Sequence, residues 1–126
     1  MRVFDSRKSK VLVVDDEELI VLALCRYLTS KNYDVVATTS PEKGLSFIRR
    51  EKFDIAVLDI CMKPIDGIEL VKELRKHDAS CKIMLISATI TGDDIKKRLE
   101  GFKVDQFIEK PFELCYIHEK MLEMTT

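Results

Sequence analysis

The chain has 126 residues, 46% of them apolar and 34% charged, which suits one globular domain with its own core and leaves too little length for two. Its 21 basic and 22 acidic side chains nearly cancel, without the clustered basic excess of a nucleic-acid binder. No apolar run is long enough to cross a bilayer, the opening MRVFDSRKSK lacks the apolar stretch of a signal peptide, and Cys25, Cys61, Cys81 and Cys115 form no CxxC, so a cytoplasmic protein with free thiols and no membrane or direct nucleic-acid partner is expected.

Residues 1–8 are polar and without period, which predicts a flexible N-terminal arm ahead of a single domain over 9–124. Short aliphatic runs follow at Val11–Val14, Val35–Thr38, Ile55–Leu58, Ile83–Ile86 and, more weakly, Val104–Ile108. They are continuous rather than alternating, the pattern of strands buried on both faces of a parallel sheet.

Helical periods lie between them. Ile20, Ala23, Leu24, Tyr27 and Leu28 make one stripe. Ser40-Pro41-Glu42 reads as an N-cap, a proline in the first turn and an acid beside the helix dipole. Asp66 caps a helix whose inner face is Ile68, Val71 and Leu74. Ile95, Leu99 and Phe102 predict a fourth helix, and Leu114, Ile117, Met121 and Leu122 a fifth. Five strand–helix alternations predict a doubly wound α/β domain with right-handed crossovers.

In such a sheet, ligands bind beyond the carboxyl ends of the strands. The first strand runs into Asp15-Asp16 and Glu17-Glu18, the third ends on Asp59, the fourth on Ser87-Ala88, and Lys110-Pro111 follows the fifth. Taken singly, these are ordinary helix caps and turn formers. Together they place three carboxylates, a hydroxyl and a lysine along one edge. Carboxylates gathered in this way raise one another's pKa unless a cation sits among them, and a hard divalent ion such as Mg²⁺ uses one or two carboxylates plus waters and a phosphate oxygen. With Lys110 as a point charge and Ser87 as a donor, the parts suit phosphoryl transfer to a carboxylate nucleophile.

The stretches VLVVDDEE, AVLDICMKPIDG, LISA and FIEKPF, in that order and spacing, resemble the receiver domain of two-component response regulators over almost the whole chain. The resemblance implies a flavodoxin-like (βα)5 domain of the chemotaxis-receiver type, with strand order 2-1-3-4-5 and helices on both faces. It implies Asp59 as phosphoacceptor from a histidine kinase or phosphotransfer protein. Asp16, Asp59 and the backbone carbonyl of Cys61 would be ligands of Mg²⁺, with Mn²⁺ as a substitute, and Asp15 would hold the ion through water. Lys110 would pair with the phosphate, Ser87 and Phe107 would form the switch, and the Lys110–Pro111 peptide would be cis.

The protein would then be a signalling switch rather than an enzyme, altering a protein-interaction surface for an output not encoded here, with a phosphorylation-dependent homodimer as one form. Departures are Pro64 five rather than four residues after Asp59, Ser at 87, Phe at 107, and Gly101-Phe102-Lys103 before the last strand. Three other readings compete. A haloacid-dehalogenase-like phosphatase needs an acid where Cys61 stands, and a flavodoxin-like electron carrier needs a phosphate loop where Asp15-Asp16 stand. A degenerate receiver acting only by contacts is the third. His77 and His118 read as surface or satisfied residues, and Lys96-Lys97-Arg98 as a solvated helix face, with a partner-docking role, which the resemblance implies for that face, as the alternative.

Overall fold

The computed structural model describes residues 8–88 and 92–126, so all but the last residue of the expected N-terminal arm lies outside the described residues. Strands β1 (Lys10–Val14), β2 (Asp34–Thr38), β3 (Ile55–Asp59), β4 (Lys82–Ser87) and β5 (Gln106–Glu109) form a parallel sheet in the order β2-β1-β3-β4-β5. They alternate with helices α1 (Glu18–Ser30), α2 (Pro41–Arg50), α3 (Gly67–His77), α4 (Gly92–Leu99) and α5 (Leu114–Thr125).

Successive strand side chains point to opposite faces, so the aliphatic runs supply two cores at once. Leu12, Val14, Ala56, Leu58, Ile83 and Leu85 pack on the side of α2, α3 and α4. Val11, Val13, Ile55, Val57, Met84 and Ile86 pack on the other side, against Leu24 and Leu28 of α1 and Ile117, Met121 and Met124 of α5. Local signals agree with this: the Lys43 amide donates to Ser40 Oγ at 3.2 Å, and the Glu69 amide to Asp66 Oδ1 at 3.0 Å, capping α2 and α3.

Three expectations need correction. The last strand begins at Gln106 rather than Val104: the Asp105 amide still donates to the Ile83 carbonyl at 2.9 Å, but the Ile83 amide donates to the Asp105 side chain, Oδ2 at 2.8 Å, rather than to a strand carbonyl, and that oxygen also pairs with the buried Arg75 guanidinium at 3.3 Å. Phe102 lies beyond α4, which ends where Glu100 and Gly101 take positive φ values of 52° and 85°. It still packs against the core. Leu122 is 46% exposed, since the inner stripe of α5 runs through Ile117, Met121 and Met124 and leaves position 122 on the outer face.

Candidate functional site

The sheet register assembles the site. Val14 lies opposite Leu58, Asp59 opposite Ile86, and Ser87 opposite Glu109. The residues at or just beyond these pairs, Asp15, Asp59, Ser87 and Lys110, therefore stand in one row although they span nearly the whole chain. Asp15, Asp59 and Ser87 are at most 2% exposed, while Asp16 is exposed at the rim.

Asp15 and Asp59 are held in the same way. Oδ1 of Asp15 accepts from the amide of Glu17 at 2.9 Å, and Oδ1 of Asp59 from the amide of Cys61 at 3.2 Å. Each carboxylate is thus oriented by the amide two residues on, leaving Oδ2 to face the row. Lys110 Nζ meets both, at 3.0 Å from Asp15 and 3.4 Å from Asp59, and Glu17 Oε1 at 3.2 Å. Asp15 Oδ2 is buried, and its partner among the described residues is the Lys110 ammonium. The Lys110–Pro111 and Lys63–Pro64 peptides are both cis.

The electrostatics follow from burial. Desolvation, and then the charge of Asp15, push the Asp59 carboxyl up to about 7, against the lowering effects of Lys110 and the Cys61 amide. Burial alone would lower the Lys110 pKa, but the carboxylates of Asp15, Asp59 and Glu17 raise it instead, so the ammonium stays charged. One ammonium does not balance this many carboxylates. Oxygens of Asp15, Asp16 and Asp59 come within 4.8 Å of one another, and the donors are all hard oxygens. With Asp15 and Asp59 both buried against a single ammonium and Asp16 beside them, the residues present fit a divalent cation such as Mg²⁺.

Ser87 is fully buried, with Oγ 3.7 Å from Cys61 Sγ, and its carbonyl accepts from the Lys110 amide at 2.9 Å. Phe107, opposite Leu85, is 39% exposed. Two residues here were not singled out by sequence reasoning. Glu17 shares Lys110, and its place in the DDEE run was the available signal. Gly67 backs onto the Asp59 carbonyl, where a Cβ would stand 2.3 Å from the oxygen, and the Asp66-Gly67 pair was its signal.

The histidines lie elsewhere. His77 pairs with Glu73 at 3.3 Å, and His118 sits edge-on to the rings of Tyr27 and Tyr33. Of the Lys96-Lys97-Arg98 run, Arg98 is bonded to Asp66 rather than only solvated.

A family model described as the response regulator receiver domain matches residues 11–122. The chain is 38% identical over 103 residues to the alkaline phosphatase synthesis transcriptional regulatory protein PhoP of Bacillus subtilis (strain 168), covering 82% of this chain and 42% of that protein. It spans less than half the length of the curated relatives it matches first. A CheY-like receiver domain protein from Methanospirillum hungatei JF-1 superposes with a TM-score of 0.87 at 24% identity, covering 93% of each chain. The receiver domain of the sensor histidine kinase PA1611 from Pseudomonas aeruginosa PAO1, whose active-site cleft holds a magnesium ion, superposes with a TM-score of 0.79 at 17% identity over 94% of this chain and 98% of that one.

Proposed function

The chain belongs to the response regulator receiver domain family, and we propose that within it Asp59 is the phosphoacceptor of a phosphorelay switch. The observation that carries this reading is the buried row itself: Asp59 Oδ2 faces Lys110 Nζ at 3.4 Å, with Asp15 alongside and Ser87 one strand over.

In the transfer, an Asp59 carboxylate oxygen forms a bond to phosphorus as the phosphorus–nitrogen bond of a phosphohistidine on a kinase or phosphotransfer protein breaks. The electron pair of that bond stays on the imidazole, which keeps or takes up a proton. The burial that pushes Asp59 up also keeps its carboxylate poorly solvated, and so available as a nucleophile once ionised. Lys110 holds the oxygens of the incoming group by charge, and its three ammonium protons allow it to keep Asp15 while doing so. Asp15, Asp16, Asp59 and the Cys61 carbonyl would hold Mg²⁺, or Mn²⁺ in its place. When bound, that ion supplies charge neutralisation for the phosphoryl oxygens.

Ser87 answers the product. Its hydroxyl hydrogen bonds to a phosphoryl oxygen only in the loaded state, so it biases a two-state equilibrium that an interaction equal in both states would leave alone. Movement of Ser87 leaves space beside β4 for Phe107 to turn inward, changing the α4–β5–α5 surface that meets an output partner or a second copy. The domain over 9–124 acts as a switch, without turnover of an external substrate beyond its own phosphoryl group, in the cytoplasm. Its output lies in another segment or protein.

Acetyl phosphate with Mg²⁺ should add one labile phosphoryl group by intact mass to the wild type and none to Asp59→Asn. A persistent adduct on Asp59→Asn would sink the assignment.

A further inference from the structure

Arg98 lies on the exposed basic face of α4, yet its guanidinium donates to Oδ2 of Asp66, 32 residues earlier. The other oxygen of Asp66 caps α3 through the Glu69 amide. A single carboxylate therefore ties α4 to the first turn of α3. The next residue is Gly67, pressed against the Asp59 carbonyl, with its amide donating to the Ile60 carbonyl at 3.1 Å. Asp59, Gly67, Asp66 and Arg98 thus form a contiguous chain of contacts from the acceptor to α4. Arg98 and Asp66 also border the same opening of about 410 Å³ as Asp16, Cys61 and Lys63.

We propose that Arg98 is a positioning residue that couples α4 to the loading of Asp59: paired with Asp66 it holds α4 against the acceptor loop, and a phosphoryl group on Asp59 draws the guanidinium out of that pair. The inference rests on Asp59 being the acceptor. Phosphorylation brings about −1.5 to −2 charges and three acceptor oxygens to Asp59, whose carboxylate is held by the amide of Cys61 on the border of that opening. A guanidinium matches phosphate oxygens at least as well as a carboxylate. Arg98 is half exposed, so it redistributes between the two anions without being dragged from a core. Asp66 keeps its bond to Glu69 when Arg98 leaves, so α3 stays capped while α4 is released. Coupling of this kind is reciprocal: if loading weakens the pair, removing the pair favours loading. An exposed ion pair sets the scale at about two- to fivefold.

The test is a beryllofluoride titration, with Mg²⁺ present, of the whole chain followed by NMR in the wild type, Arg98→Gln, Asp66→Asn and the double variant. Asp66→Asn keeps an oxygen for the α3 cap while removing the charge. Asp66→Asn, which frees the guanidinium for the loaded site, should bind about two- to fivefold more tightly, and its α4 amides should already be shifted, before loading, in the direction that loading moves them in the wild type. Arg98→Gln removes the pair together with the guanidinium that meets the phosphoryl oxygens, so it should bind no more tightly than the wild type, and the double variant should bind as Arg98→Gln does. An affinity equal to wild type in Asp66→Asn, or a gain in Asp66→Asn that persists in the double variant, overturns the coupling alone. A wild type that takes up no beryllofluoride overturns the acceptor reading, and the coupling with it.

Discussion

Gly67 backs directly onto Asp59: a Cβ placed on the glycine would lie 2.3 Å from the Asp59 carbonyl oxygen and 2.8 Å from its carbonyl carbon. Both partners are backbone atoms, so the clash is not relieved by a rotamer change. Gly67→Ala should therefore push the α3 N-terminus off the acceptor strand and destabilise the fold by on the order of 1–3 kcal/mol. A denaturant midpoint measures the loss, and labelling with acetyl phosphate should fall in the same variant. An unchanged midpoint would show that the loop relaxes freely.

The Asp59 carboxyl makes stability depend on pH. Its folded pKa of about 7 stands above the ordinary value of 3.8, so between those values the folded chain binds more protons than the unfolded one. Stability from this group is present below the lower value and is lost as pH rises through about 7. In a chelating buffer, Asp59→Asn should be more stable than wild type at pH 8, by on the order of 1–2 kcal/mol, with the gap narrowing toward pH 5. Equal melting temperatures at pH 8 would contradict the burial argument.

Ser87→Ala should separate occupancy from response. With Lys110 and the carboxylates intact, beryllofluoride should still bind, roughly ten- to a hundredfold more weakly than to wild type, since a single hydrogen bond to a charged group contributes about 1.5–3 kcal/mol. The NMR shifts of residues 92–124 seen on loading the wild type should shrink sharply. A full response in Ser87→Ala would remove the hydroxyl from the coupling.

The thiols should react in order of access. Cys61 and Cys115 are exposed, whereas Cys81 is 2% exposed and burial pushes its thiol up to about 12. Iodoacetamide at pH 8 should alkylate Cys61 and Cys115 first and leave Cys81 untouched until the chain unfolds, as peptide mass mapping can follow. Modification of Cys61, whose sulfur lies 3.7 Å from Ser87 Oγ, should also lower phosphoryl uptake.

The strand and helix alternation was legible because each signal is local. Continuous aliphatic runs report burial on both faces, Ser40-Pro41 and Asp66 report helix starts, and DD, D, S and KP at strand ends report an edge. The errors arose where a long-range partner overrode a local preference. Val104 belongs to an aliphatic run, but the Asp105 carboxylate, held by Arg75 about 30 positions away, accepts from the Ile83 amide where a strand carbonyl would. On α5, two apolar stripes were open to periodicity, and the packing of Met121 and Met124 against β4 and α1 chose the one that leaves Leu122 outside.

By itself the sequence determined which elements form, and which side chains reach the carboxyl edge of the sheet, because period, capping and strand-end position are properties of neighbouring residues. Only the tertiary structure decided the register that aligns Asp15, Asp59, Ser87 and Lys110, the sharing of Lys110 with Glu17, the contact of Gly67 with the Asp59 backbone and the bond from Arg98 to Asp66. Each of these joins residues far apart in the chain or sets a distance of a few ångströms. Such distances depend on how the cores on the two faces of the sheet pack, and no local pattern encodes them.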